Sequence, residues 1–175
     1  MANKFYLGFT LVLAFSTAQA SESIDWSAYG RLPGGGHYSP ASQITTANVK
    51  QLEKAWTHRS GDFRGGVSDL TETDTMQEMK ARPTSFTVTP IVVRDTLYYC
   101  TPFNRVFALD PATGEERWVY DPKVDMEGES VTNCRAVSSW VDPYGSDKVC
   151  GHRIVTGTLD ARLIVLDGRT GKPCE

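Results

Sequence analysis

From residue 84 onward the chain alternates apolar and polar positions in short runs, the period of two expected of half-buried strands. Residues 86–89 and 91–93 carry Phe, Val and Ile between threonines, Arg94 and Asp95 make a turn, and 96–101 returns as L-Y-Y-C between threonines. Residues 106–109 (V-F-A-L) and 117–120 (R-W-V-Y) complete four antiparallel strands. A second group follows the loop at 121–130. A strand runs through Val131 and ends near Trp140, residues 142–145 (D-P-Y-G) turn, and 150–156 and 162–166 are strands about a turn at 157–160. Upstream the pattern is weaker. Residues 43–56 predict a short helix capped by Thr45 or Thr46 with Val49 and Leu52 on one face, and Trp56 opens a strand. Residues 60–82 are polar, a long excursion without periodicity.

The two strand groups are copies. Asp110, Thr113 and Gly114 in L-D-P-A-T-G recur as Asp167, Thr170 and Gly171 in L-D-G-R-T-G, 57 positions later, and apolar residues lead into both turns. The aspartate carboxylate can accept from the backbone N–H groups of the turn, and glycine supplies positive φ. Trp118 then offers a large apolar face with one N–H, suited to the seam between neighbouring sheets. A repeat of this length built from strands and Gly turns is the mark of a β-propeller blade. A propeller closes with about 4–8 blades, whereas 175 residues hold about two of this size, so the expected fold is all-β and the chain a portion of a ring.

Composition narrows the classes. The formal net charge is −3 and the pI about 5.6, without the basic excess of a nucleic-acid surface. Residues 1–20 stand apart: Lys4, an apolar run over 5–15, and A-Q-A ahead of Ser21 form a secretory signal peptide cleaved after Ala20. The run is too short for a membrane span, which takes about 20 apolar residues. Residues 21–175 form the exported portion. Export permits disulfides among Cys100, Cys134, Cys150 and Cys174, with three pairings open. Gly34, Gly35 and Gly36 lack the Lys-Ser/Thr pair of a phosphate loop and read as a surface turn. Cys150 and His152 lack the second matching pair of a zinc site, so no metal ligands are assigned.

The ordered set of motifs, D-W-S-A-Y-G-R from Asp25, Q-I-T-T-A-N-V-K-Q-L-E-K-A-W ending at Trp56, L-Y-Y-C-T-P-F-N-R-V-F-A-L-D-P-A-T-G, C-R-A-V-S-S-W from Cys134, and the closing G-K-P-C-E, resembles the pyrroloquinoline quinone (PQQ)-dependent dehydrogenases, nearest their glucose/quinate/shikimate branch. The resemblance implies an eight-bladed propeller whose D-x-x-T-G-x-x-x-W elements dock blades together. It also implies a PQQ cofactor with Ca²⁺, and periplasmic oxidation of a sugar, polyol or cyclic hydroxy acid. Ubiquinone or another periplasmic carrier would accept the electrons, and any membrane association would run through a partner. Arg135 matches the family's arginine beside the quinone, and a guanidinium can hold a carboxylate or quinone oxygen with paired N–H donors. Arg82 aligns near another cofactor contact. Trp140 stands where glucose-type members carry a histidine stacked on the cofactor, and an indole stacks on a planar quinone equally well. The family's catalytic base and most Ca²⁺ ligands fall in later blades, so no catalytic residue is assigned and the chain alone is expected to be inactive.

Two other classes share the repeat. One is a non-enzymatic propeller scaffold, such as an outer-membrane assembly lipoprotein, which would place Cys rather than Ser21 after the cleavage site. The other is a truncated product whose open sheet edges and faces prevent stable folding.

Overall fold

The computed structural model describes residues 24–31, 34–63, 84–126 and 132–175. The signal peptide, most of the polar excursion with Arg82, and Val131 lie outside the described residues. Two antiparallel sheets make up the body. The first has the order β1 (Ile91–Val93), β2 (Thr96–Cys100), β3 (Val106–Leu109), β4 (Glu116–Tyr120), and the second β5 (Ser138–Val141), β6 (His152–Gly157), β7 (Leu163–Asp167). Within each sheet every strand pairs with its predecessor, the meander that short turns dictate. Arg94 and Asp95, both at positive φ (49° and 57°), form the two-residue β1–β2 loop whose twist matches the flanking strands.

The turns of the two copies share their backbone hydrogen bonds. Asp110 N donates to Glu115 O and Asp167 N to Lys172 O, both at 2.8 Å; Gly114 N donates to Asp110 O and Gly171 N to Asp167 O, again at 2.8 Å. Asp110 Oδ1 accepts from the amides of Ala112 and Thr113, and Asp167 Oδ1 from those of Arg169 and Thr170. The β2–β3 and β6–β7 turns match as well, with Thr101 N donating to Arg105 O and Thr158 N to Arg162 O, each at 2.9 Å. The isolated pairing Leu166↔Pro173 falls where Leu109↔Glu116 opens β4 in the first sheet.

Alternation sorts the side chains. One face of the first sheet (Ile91, Val93, Tyr98, Cys100, Val106, Ala108) packs with Cys134, Val137, Ile154 and Leu166 into one core between the sheets. Trp118 closes its outer margin: the indole N–H donates to Gly168 O at 3.0 Å, and the ring lies against Gly171, where a Cβ would come within 2.7 Å of it. Tyr98 O–H reaches the same carbonyl at 2.9 Å.

Four local expectations are corrected. Residues 43–56 form a single 3₁₀ turn, Val49–Gln51, with Asn48 rather than Thr45 or Thr46 at its cap. The Asn48 carboxamide binds Thr45 N and Gln43 O, and Val49 and Leu52 are exposed, so no packed face prolongs the helix. Trp56 lies in extended chain with no strand partner among the described residues. Residues 86–89 are likewise unpaired in a sheet; Thr89 N donates instead to Arg135 O. The second sheet starts at Ser138, because 132–137 is tied to the first sheet, and β6 starts at His152 because Cys150, at φ 58°, still belongs to the preceding turn.

Candidate functional site

The β2–β3 and β6–β7 turns gather at one end of the sheets with residues 84–90 and 132–137. There the local sequence fixes backbone and leaves a side chain free. Cys134 is joined to the fully buried Cys100 by a disulfide (Cα–Cα 5.8 Å), and Val137 is sunk in the core. Between them, Arg135 O accepts from Thr89 N at 2.8 Å, and just before Cys134, Asn133 O accepts from Asn104 Nδ2 at 3.4 Å. Asn104 is buried at φ 59°, and its Oδ1 accepts Leu159 N at 2.9 Å, so one amide joins both turns and the loop. The Arg135 side chain is exposed and makes no hydrogen bond or ion pair among the described residues. A guanidinium on an anchored backbone, not neutralised by a neighbour, is a ready binder for a planar anionic group.

Other arginines at this end are committed. Arg105 Nη1 donates to Ser60 O at 3.0 Å and Asp62 Oδ1 at 2.9 Å, with its guanidinium 4.9 Å from the Phe107 ring centroid. Its repeat partner Arg162 binds Asp160 and donates to Pro122 O at 2.8 Å. The Arg162 bonds, followed by that from Thr158, hold the Asp160 carboxyl well below the usual range.

Trp140 sits on β5 with Ser138, on the face turned away from the first sheet, while Val137 and Val141 face the core. The Arg153 guanidinium lies 4.8 Å from its ring centroid, with Nε bound to Cys150 O at 2.9 Å. One face of the indole is thus already covered by a cation. No contact joins the Arg135 and Trp140 side chains among the described residues.

The cysteines pair 100–134 and 150–174. Cys150 is therefore no metal ligand, and among the described residues no group of three or more His, Cys, Asp or Glu side chains is arranged to hold a cation. His152 is buried, its backbone O accepts from Gly168 N at 2.8 Å, and its ring shares a 3.1 Å hydrogen bond with Ser139 Oγ. Burial, helped by the nearby Arg94 charge, lowers its pKa. Sequence reasoning missed Asn104 and Thr89. The signal for Asn104 was present, since a Thr-x-x-Asn-Arg turn needs a residue tolerant of positive φ.

A family model, "Glucose/ethanol/alcohol dehydrogenase, beta-propeller domain", matches residues 26–175. The chain is 39% identical over 157 residues to the quinoprotein glucose dehydrogenase of Escherichia coli (strain K12), covering 86% of this chain and 18% of that protein. It is 27% identical over 172 residues to the quinate/shikimate dehydrogenase (quinone) of Acinetobacter baylyi, covering 89% of this chain and 19% of that one. Among solved structures, the quinohemoprotein alcohol dehydrogenase of Comamonas testosteroni superposes with a TM-score of 0.64 at 29% identity, over 90% of this chain and 20% of that structure. The chain thus spans about a fifth of the length of the relatives it matches.

Proposed function

The chain belongs to the β-propeller family of PQQ-dependent glucose, ethanol and alcohol dehydrogenases, and from that premise we propose that it is the N-terminal part of a periplasmic quinoprotein that oxidises a sugar, polyol or cyclic hydroxy acid. The observation that carries the reading is the exposed Arg135 guanidinium on a backbone locked by Cys134 and Thr89. The periplasmic assignment is supported by the signal-peptide pattern of residues 1–20 and by two disulfides, which persist in oxidising compartments.

The residues at this end fit one part of the cofactor. Pyrroloquinoline quinone carries carboxylates on a planar ring system, and when bound it supplies the two-electron acceptor for the hydride leaving the substrate carbon. Arg135 would hold a carboxylate or ring oxygen through paired N–H donors, with little ordering cost because its backbone is already fixed. Ca²⁺ is different. Among the described residues no group of three or more His, Cys, Asp or Glu side chains is arranged to hold it, and our reading assigns its ligands and the proton-accepting carboxylate to later blades of the longer protein. Ubiquinone or another periplasmic carrier is the proposed electron acceptor.

The test is to add PQQ, Ca²⁺ and an artificial electron acceptor to the purified 175-residue chain with sugars, polyols and quinate. No turnover is expected. Substrate-dependent dye reduction would overturn the assignment of the base to later blades.

A further inference from the structure

The β2–β3 and β6–β7 turns are equivalent in the repeat and built alike. In the first, Thr101 N donates to Arg105 O at 2.9 Å, Asn104 N to Thr101 O at 2.8 Å, and Arg105 N to Thr101 Oγ1 at 3.3 Å. Thr158, Ala161 and Arg162 repeat these bonds in the second, at 2.9, 3.1 and 3.1 Å. Asn104 and Ala161 occupy the same place, and both hold left-handed backbone, at φ 59° and 62°. Asparagine adopts that conformation more readily than alanine, yet Ala161 shows that the turn closes in full without a carboxamide. The Asn104 side chain is an addition to the turn.

Its partners show what the addition does. Asn104 is 2% exposed. Only Oδ1 can accept Leu159 N, at 2.9 Å, and only Nδ2 can donate to Asn133 O, at 3.4 Å, so the neighbours fix which way the amide points. The carboxamide leaves its own turn and fastens the β6–β7 turn and the 132–137 connection at once. Asn133 O lies two residues before Arg135, whose carbonyl is held by Thr89 N at 2.8 Å, and the disulfide to Cys100 fixes Cys134 between them. Three successive residues are thus held by three separate segments of chain. Of the three attachments, only the Asn104 amide also reaches the second sheet.

We propose that Asn104 is a positioning residue for Arg135: its carboxamide sets the 133–135 backbone, and through it the direction in which the guanidinium meets a planar anionic ligand. The inference rests on the reading of Arg135 as a contact to the quinone cofactor. Paired N–H contacts require the guanidinium plane to align with its acceptor, and a productive site holds such a group to within about 0.5 Å. A loop held only at Cys134 and Arg135 O could pivot between those points, and the bond to Asn133 O removes that freedom.

A double-mutant cycle read by PQQ affinity tests it. A chimera carrying these 175 residues in place of the matching segment of the E. coli quinoprotein glucose dehydrogenase is titrated with PQQ and followed by absorption. The parent is compared with Asn104→Ala, Arg135→Ala and the double variant. Asn104→Ala is expected to weaken binding about 10-fold with Arg135 present and less than about 2-fold with it absent. Equal losses in both backgrounds overturn the inference, since Asn104 then acts on the fold in general, and so does no loss with Arg135 present. If Arg135→Ala itself leaves affinity unchanged, the cofactor reading falls, and this inference with it. A second measurement needs neither cofactor nor chimera. The Thr89 amide reports the placement of Arg135 O, and in the 175-residue chain its hydrogen exchange, resolved by NMR, should rise about 10-fold or more in Asn104→Ala. That rise should exceed any change in the amides of β3, which global destabilisation would accelerate equally. A Thr89 amide as protected as in the parent, or accelerated no more than β3, overturns the inference even where no chimera folds.

Discussion

Replacing Gly171 by alanine isolates the energy of the seam. At φ 70° an alanine pays about 1–2 kcal/mol in backbone sterics. The added methyl also meets Cδ2 and Cε3 of Trp118 at 2.7 Å, so the indole must move, and its 3.0 Å bond to Gly168 O goes with it. Overpacking of this kind costs about 1–3 kcal/mol, and the hydrogen bond contributes about 1 kcal/mol. The total expected for Gly171→Ala is about 3–6 kcal/mol. In a Trp118→Ala background the clash is gone and only the backbone cost of about 1–2 kcal/mol remains. Gly157→Ala is the control, since nothing lies within 4 Å of its Cβ position and its φ is ordinary. Urea unfolding of the four variants, followed by far-UV circular dichroism so that loss of a tryptophan does not alter the probe, reads these differences. An equal cost of Gly171→Ala with and without Trp118 would refute the docking argument.

Cys100→Ser with Cys134→Ser should destabilise by about 3–4 kcal/mol for a crosslink spanning 34 residues, and should raise hydrogen exchange in 132–137 more than elsewhere. Arg135→Ala should leave the unfolding free energy within about 0.5 kcal/mol of the parent while weakening PQQ binding, read by spectral titration of a chimera that carries these 175 residues in place of the matching segment of the E. coli quinoprotein glucose dehydrogenase; Arg135→Lys should not restore it, because a lysine cannot make the paired contact. Asp110 is held near a pKa of about 2 by the Arg117 hydrogen bond, then by the amides of Thr113 and Ala112. Its folded value is below the unfolded one of about 3.9, so its contribution is present above about pH 4 and is lost as pH falls toward 2. Asp110→Asn should flatten that part of the urea-midpoint profile, and an unchanged acid limb would count against the assignment.

The architecture was legible because it rests on local signals that tertiary contacts reinforce: period-two alternation, and a turn whose Asp, Thr and Gly each have a backbone reason to be there. Where the alternation was real but unpaired, as at 86–89, the sequence could not tell a strand from an extended segment whose amides bind a loop. Val49 and Leu52 show the opposite failure, since helical spacing without a surface to pack on yields a single turn. The cysteine pairing was hidden because three connectivities suit the same spacing, and only the fold brings Cys134 beside Cys100.

The site was less legible than the fold for a physical reason. Among the described residues nothing neutralises the Arg135 side chain, and its backbone is fixed through Cys100, Thr89 and Asn104, all far from it in sequence. Arg105 and Arg162 look equally available in one dimension, yet each is spent on an aspartate and a backbone carbonyl, and both occupy the same place in the repeat. The repeat therefore separates side chains committed to the scaffold from those it leaves unconstrained. Side chains that recur at the 57-residue offset with the same bonds hold turns and seams together. Asn133, Cys134 and Arg135 lie in the connection between the sheets, which the repeat does not constrain, and it is there that the chain can place a group for a ligand without disturbing the blades.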